Sequence, residues 1–151
     1  MSVTINIAAV TAVLRSDSLT TGPVVAQFEQ ALATATGATD AIVCSSGTAA
    51  LHLAVLGIGL APGDQVIVPT LTFLATANCA RYVDAEVIFA DVDADTGLLT
   101  AAGFEQALGR ADPARLKAVL PVHLNGQACD MREIKAIADK RGVAEIGRAH
   151  V

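Results

Sequence analysis

The chain has 151 residues, 53% of them apolar and 17% charged, with a formal net charge of −5. This composition excludes a disordered or fibrous chain and leaves room for one domain of ordinary size with a sizeable core. The acidic balance, the absence of a basic block and an aromatic content of 3% without tryptophan exclude a nucleic-acid partner.

In chain order, residues 1–6 lack the layout of a signal peptide. Residues 3–14 carry apolar positions at helical spacing. Residues 16–23 form a polar turn segment, and Pro23 suits the first turn of a helix. An amphipathic helix is predicted over 24–36, with Val25, Phe28, Ala31 and Leu32 on one side and Gly37 as its stop. Residues 41–44 have the length and apolarity of a strand. Ser45-Ser46-Gly47 breaks that run, and a small-residue helix follows over 48–56. Past a Gly- and Pro-rich loop, 65–68 is a second predicted strand, closed by Pro69. Helices are expected over 72–82, 101–108 and 131–140, with strands at 86–90 and within 116–121. No apolar stretch reaches the roughly 20 residues that cross a bilayer. Near-continuously apolar strands separated by helices predict an α/β fold whose sheet is covered on both faces.

Three strand ends carry chemistry. At Cys44-Ser45-Ser46-Gly47-Thr48 a strand-like run passes through a tight turn into a helix. The first amides of a helix lack intrahelical acceptors and carry partial positive charge, Gly47 admits close approach, and the Ser46 and Thr48 hydroxyls add donors. No lysine accompanies the turn, so it is not a nucleotide P-loop. The same residues also suit an ordinary N-cap. Phe73 follows the strand at 65–68, at the edge where open α/β sheets bind ligands; it suits either a stacking ring or a core residue. His123 and Gln127 lie past the strand within 116–121, and His123 reads either as a general base or as a structural histidine. His52 reads as a packing residue. The spacing of Asp91, Asp93 and Asp95 fails the calcium-loop pattern, and no metal site is expected. Cys44, Cys79 and Cys129 are scattered, without zinc spacing, and fit a reducing cytoplasm, where the chain is expected to reside.

Six segments in register resemble the DegT/DnrJ/StrS family of pyridoxal-phosphate-dependent sugar aminotransferases. They are Leu19-Thr20-Thr21-Gly22-Pro23, the Ser45–Leu51 turn and helix start, the run 62–69, Thr72-Phe73-Leu74-Ala75-Thr76-Ala77-Asn78, Asp91-Val92-Asp93 and Pro121-Val122-His123-Leu124-Asn125-Gly126-Gln127. The resemblance spans about residues 5–142. It implies a three-layer α/β/α large domain of fold type I, truncated here, with pyridoxal 5'-phosphate as cofactor. Ser46, Gly47 and Thr48 would hold the cofactor phosphate, Phe73 would lie over the pyridine ring, and Gln127 would sit close by with His123. Ser18, Leu19, Thr20 and Thr21 match a substrate segment. Asn125 departs from the aromatic that the family often has there. The expected partners are a nucleotide-linked keto-sugar, an amino-acid donor and, in the full-length protein, a second copy in a homodimer. The segment 72–82 looks most like enzymes of the pseudaminic acid type in surface-glycan synthesis.

Transamination needs a lysine, a carboxylate on the pyridine nitrogen and a phosphate anchor. Lys117, Lys135 and Lys140 are the only lysines, and none matches the family position. The carboxylate motif expected after the last helix is absent. Glu145–Val151 instead has the sequence that a common sequencing adapter encodes in one frame. Residues 1–144 are therefore expected to be the N-terminal part of the large domain, with 145–151 a non-native tail, and no catalytic residue is assigned. A catalytically inactive phosphate-binding or regulatory module, another fold type I enzyme such as a lyase or desulfurase, and a flavodoxin-like domain are the competing readings.

Overall fold

A computed structural model describes residues 7–150. The chain divides into two compact units, Met1–Ser45 and Ser46–Val151. The first holds α1 (Ile7–Leu14) and α2 (Pro23–Thr36). Pro23 opens α2 and Gly37 closes it in the left-handed conformation at φ 70°, as the sequence predicts. The expected helix at 3–14 is present from Ile7; its first residues lie outside the described ones. Among the described residues of this unit only Ala33 is buried. Residues 41–44, expected as a strand, join no sheet. The Val43 amide donates to Glu29 Oε1 at 2.9 Å, and Ile42 is 79% exposed. An apolar run becomes a strand only where a neighbouring edge takes its backbone groups, and here a side chain takes the amide instead.

The second unit contains α3 (Gly47–Gly57), β1 (Gln65–Pro69), α4 (Ala75–Arg81), β2 (Glu86–Ala90), α5 (Ala101–Leu108), β3 (Leu116–Val119), β4 (Val122–Leu124), α6 (Met131–Arg141), β5 (Ala144–Glu145) and β6 (Arg148–His150). The main sheet runs β2-β1-β3-β5, all parallel, and β4 pairs with β6, also parallel. Alternation along β1 divides the core. Val66 and Val68 pack with Leu51 and Val55 of α3 and Ala77 and Ala80 of α4. Ile67 points the other way, to Phe104 and Ala107 of α5 and Ile134 and Ala138 of α6. Helices α3 and α4 thus cover one face and α5 and α6 the other, which gives the three-layer α/β/α arrangement expected.

Pairing of β1 with β3 shifts by one residue between Gln65 and Val66, leaving Lys117 as the extra residue of a bulge. The bulge turns Leu116 to the α5–α6 face and Ala118 to the α3–α4 face, although they are two residues apart. Helix α5 packs tightly on the end of β2: a Cβ on Gly103 would sit 2.6 Å from the Asp91 carbonyl oxygen. Its N-cap is Thr100, whose hydroxyl accepts the Gly103 amide, and Asp130 caps α6 by accepting the Glu133 amide. Helix α4 is shorter than expected. Its first predicted residues, 72–74, form a turn, with the Thr76 amide on the Phe73 carbonyl. Strands β4, β5 and β6 were not legible as strands, and residues assigned to a tail, 145 and 148–150, lie in two of them.

At the N-terminal edge of the sheet, buried Gln65 ties three segments together. Its Nε2 donates to Glu86 Oε2 at 2.9 Å and its Oε1 accepts the Asp112 amide at 2.8 Å. Arg115 adds an ion pair to Glu86 at 2.7 Å. The Gln65 amide, with Arg115, holds the Glu86 carboxyl below the usual carboxylate range. A carboxylate lowered on folding takes up a proton more readily in the unfolded chain. Its contribution is complete above the ordinary carboxylate pKa, about 4.3, and is lost as pH falls through the lower folded value. Acid unfolding followed by circular dichroism is therefore expected to lose steepness below the ordinary carboxylate pKa in Glu86→Gln. An unchanged acid limb would remove Glu86 from the acid response.

Candidate functional site

Phe73 follows the C-terminal end of β1, His123 stands in β4 with Gln127 just past it, and Ser46, Gly47 and Thr48 open α3. Helix α3 begins at Gly47 with Ser46 as N-cap. Ser46 Oγ accepts the Ala49 amide at 3.2 Å and the Ser46 carbonyl accepts the Ala50 amide at 2.9 Å. The Gly47 and Thr48 amides are therefore the first-turn donors without an acceptor inside the helix. No acidic residue occupies that turn, and a Cβ on Gly47 would meet nothing within 4 Å. The turn is an N-cap, and its open first amides are compatible with the anion reading as well.

Phe73 follows β1 and is 54% exposed, so it is a surface ring and not a core residue. Beneath it the turn into α4 buries Thr76 completely, and the Thr76 and Thr72 hydroxyls are 2.8 Å apart. Cys79, one turn further on, donates its thiol to the Thr76 carbonyl, and burial pushes its pKa up. Sequence reasoning missed two residues here, Thr76 and Arg148. Arg148 Nη1 donates to Thr76 Oγ1 at 3.0 Å, and its guanidinium carbon lies 5.2 Å from the centre of the Phe73 ring. Burial lowers the Arg148 pKa from its ordinary value. A buried threonine among the small residues of α4 is the signal that could have pointed to this spot.

His123 stands in β4. Its Nδ1 accepts the Cys129 amide at 3.2 Å, which commits that nitrogen to holding the 125–129 loop. Gln127 lies in that loop, exposed, with its amide on the Leu124 carbonyl at 2.9 Å. Asn125 and Gly126, at φ 52° and 78°, form the centre of this turn. Two successive positive φ values make a type I′ turn, for which Asn-Gly is the favoured pair. The asparagine at 125 is thus accounted for by backbone geometry. In the first unit, Ser18, Leu19, Thr20 and Thr21 are exposed and line a cavity of about 270 Å³ with Val25 and Phe28. Thr21 sits at φ 51°, in the left-handed region.

Residues 3–147 match the model of the DegT/DnrJ/EryC1/StrS aminotransferase family. The chain belongs to this family. Among curated relatives, the GDP-perosamine synthase of Caulobacter vibrioides is 42% identical over 125 residues, covering 83% of this chain and 33% of that protein. The family chain described here therefore spans about a third of that relative's length. Among solved structures, S. venezuelae DesV superposes with a TM-score of 0.85 at 34% identity, over 93% of this chain and 37% of DesV. NtdA from Bacillus subtilis, solved with its cofactor PMP bound, gives 0.85 at 35% identity, over 93% of this chain and 31% of NtdA. The sheet is that of the fold type I large domain, and the family points to pyridoxal phosphate as cofactor. The residues present fit the phosphate group: the Gly47–Thr48 amides face open space free of acidic groups, whereas the Phe73 ring, though 54% exposed, already carries the Arg148 guanidinium.

Proposed function

We propose that this chain is the cofactor-anchoring part of an aminotransferase that acts on a nucleotide-linked keto-sugar, with an amino acid, glutamate first, as donor. The observations that carry the reading are the open N-terminus of α3 and the exposed Phe73 just past the C-terminal end of β1, in a parallel-sheet member of this family. Pyridoxal phosphate, when bound, supplies the electron sink through which an amino group is moved. The chain's own share is to bind and orient. Gly47 and Thr48 would take the phosphate through their amides, with Ser46 holding the turn, and Phe73 would cover one ring face. His123 fixes the loop that carries Gln127. Ser18, Leu19, Thr20 and Thr21 are proposed for the substrate. The GDP-perosamine synthase relative supports an amino-sugar product, and the 72–82 segment supports surface-glycan synthesis of the pseudaminic acid type. The exposed apolar residues Val24, Val25 and Phe28 support a homodimer in the parent protein, placed in the cytoplasm. Coverage of about a third of its relatives' length supports reading 1–144 as the N-terminal part of a larger large domain.

The test is anion binding at α3. In the unaltered chain, inorganic phosphate is expected to shift the Gly47 and Thr48 amide resonances. Gly47→Asp is expected to abolish that shift, because it sets a carboxylate where the anion sits. The substitution meets no atoms, and φ there is not positive. An acidic residue at a helix start adds about 0.3–1 kcal/mol of stability, so folding is retained. Phosphate binding that survives Gly47→Asp would remove the cradle from the reading.

A further inference from the structure

We propose that the C-terminal strand of this chain seals the ring-stacking half of the site, with Arg148 seated where a flat cofactor ring would lie. The chain as it stands would then take up a phosphate group and reject the ring attached to it. The inference rests on the cofactor reading above.

Arg148 is pinned from both sides. Its amide donates to the Pro121 carbonyl at 2.9 Å, and the Ile146 amide donates to the Val119 carbonyl at 3.0 Å. Strand β6 pairs with β4, which sets Arg148 opposite Val122. Ile146 packs against the α3–α4 face of the core, and a Cβ on Gly147 would lie 3.6 Å from His123 Nε2. The backbone therefore delivers the guanidinium to one place: 5.2 Å from the Phe73 ring centre, with Nη1 on Thr76 Oγ1. A guanidinium is flat, cationic and weakly hydrated, and it stacks on an aromatic face much as a protonated pyridine ring does. Arg148 and such a ring compete for the same face of Phe73. The cradle amides belong to a different element, α3, whose first turn stays open above Gly47.

The experiment titrates the full chain with inorganic phosphate and, separately, with pyridoxamine 5'-phosphate, reading the Gly47 and Thr48 amides by NMR. Pyridoxamine 5'-phosphate has the ring and the phosphate but no aldehyde to react with Lys117, Lys135 or Lys140. In the unaltered chain the two ligands are expected to bind within about threefold of each other. Arg148→Ala is expected to raise affinity for pyridoxamine 5'-phosphate about tenfold, the range of one desolvated cation–π contact, and to leave inorganic phosphate unchanged. Arg148→Gln, which keeps a donor for Thr76 but removes the charge, is expected to move in the same direction and covers the case in which alanine unfolds the strand. Phosphate binding without any gain in either variant would overturn the inference alone. A tenfold preference for pyridoxamine 5'-phosphate in the unaltered chain would do the same. Failure of both ligands to shift either amide in any chain would remove the cofactor reading and this inference with it.

Discussion

Phe104→Ala is expected to destabilise the second unit by about 3–5 kcal/mol, the usual cost of emptying a buried phenylalanine site. Phe104 is fully buried and is the largest such side chain, set between α5 and the sheet against Ile67, Leu99 and Ile134. Its neighbours cannot move in. Helix α5 is already in contact with the end of β2 at Gly103, and Ile67 belongs to a central strand paired on both sides. A whole domain is worth only about 5–15 kcal/mol, so this one change is expected to bring the chain close to unfolding at room temperature. Urea unfolding gives the number, and Phe89→Ala serves as control. Phe89 lies on the edge strand β2 and is half exposed, so its loss is expected to cost about 1 kcal/mol or less. Equal losses for both substitutions would mean that the α5–sheet layer is not a packed core.

The layers of this fold were legible because three of the four strands of the main sheet, β1, β2 and β3, are short apolar runs ended by Pro, Asp or a turn. Glu86–Ala90 and Gln65–Pro69 appear where the pattern places them. Helix ends were legible where caps announce them, as at Pro23 and Gly37 of α2. What failed depends on partners far away in the chain. Residues 41–44 are as apolar as β1 yet form no strand, since no sheet edge receives them and Glu29 takes the Val43 amide. The bulge at Lys117 leaves no mark in composition, because it arises from the register of β3 against β1. The site divides the same way. Its anion cradle is local, a turn and a helix start, and could be read from Ser46-Gly47-Thr48. The seat formed by Phe73, Thr76 and Arg148 joins residues 72 positions apart, which no local pattern reports.

Supplied with pyridoxal phosphate, an amino-acid donor and a keto-sugar nucleotide, this chain is expected to show no transamination above the uncatalysed rate. Enzymes exceed that rate by at least about 10⁶-fold, so the expected loss is complete. Lys135 and Lys140 are on α6, which packs on the face of the sheet opposite α3 and α4, away from the layer that carries the cradle and Phe73. Lys135 is also engaged by Asp139 at 2.9 Å, which raises its pKa and keeps it protonated, so it is a poor nucleophile. Lys117 occupies the bulge near the start of β3, whereas the site residues follow the ends of β1 and β4. None of the three lysines is thus placed to reach a ring whose phosphate rests on Gly47 and Thr48. Borohydride reduction after incubation with pyridoxal phosphate, followed by peptide mass spectrometry, is expected to find no lysine modified in preference to the other two. A single lysine labelled stoichiometrically, or turnover that rises with cofactor concentration, would show that the chain brings an amine to the site by a route these strands do not provide.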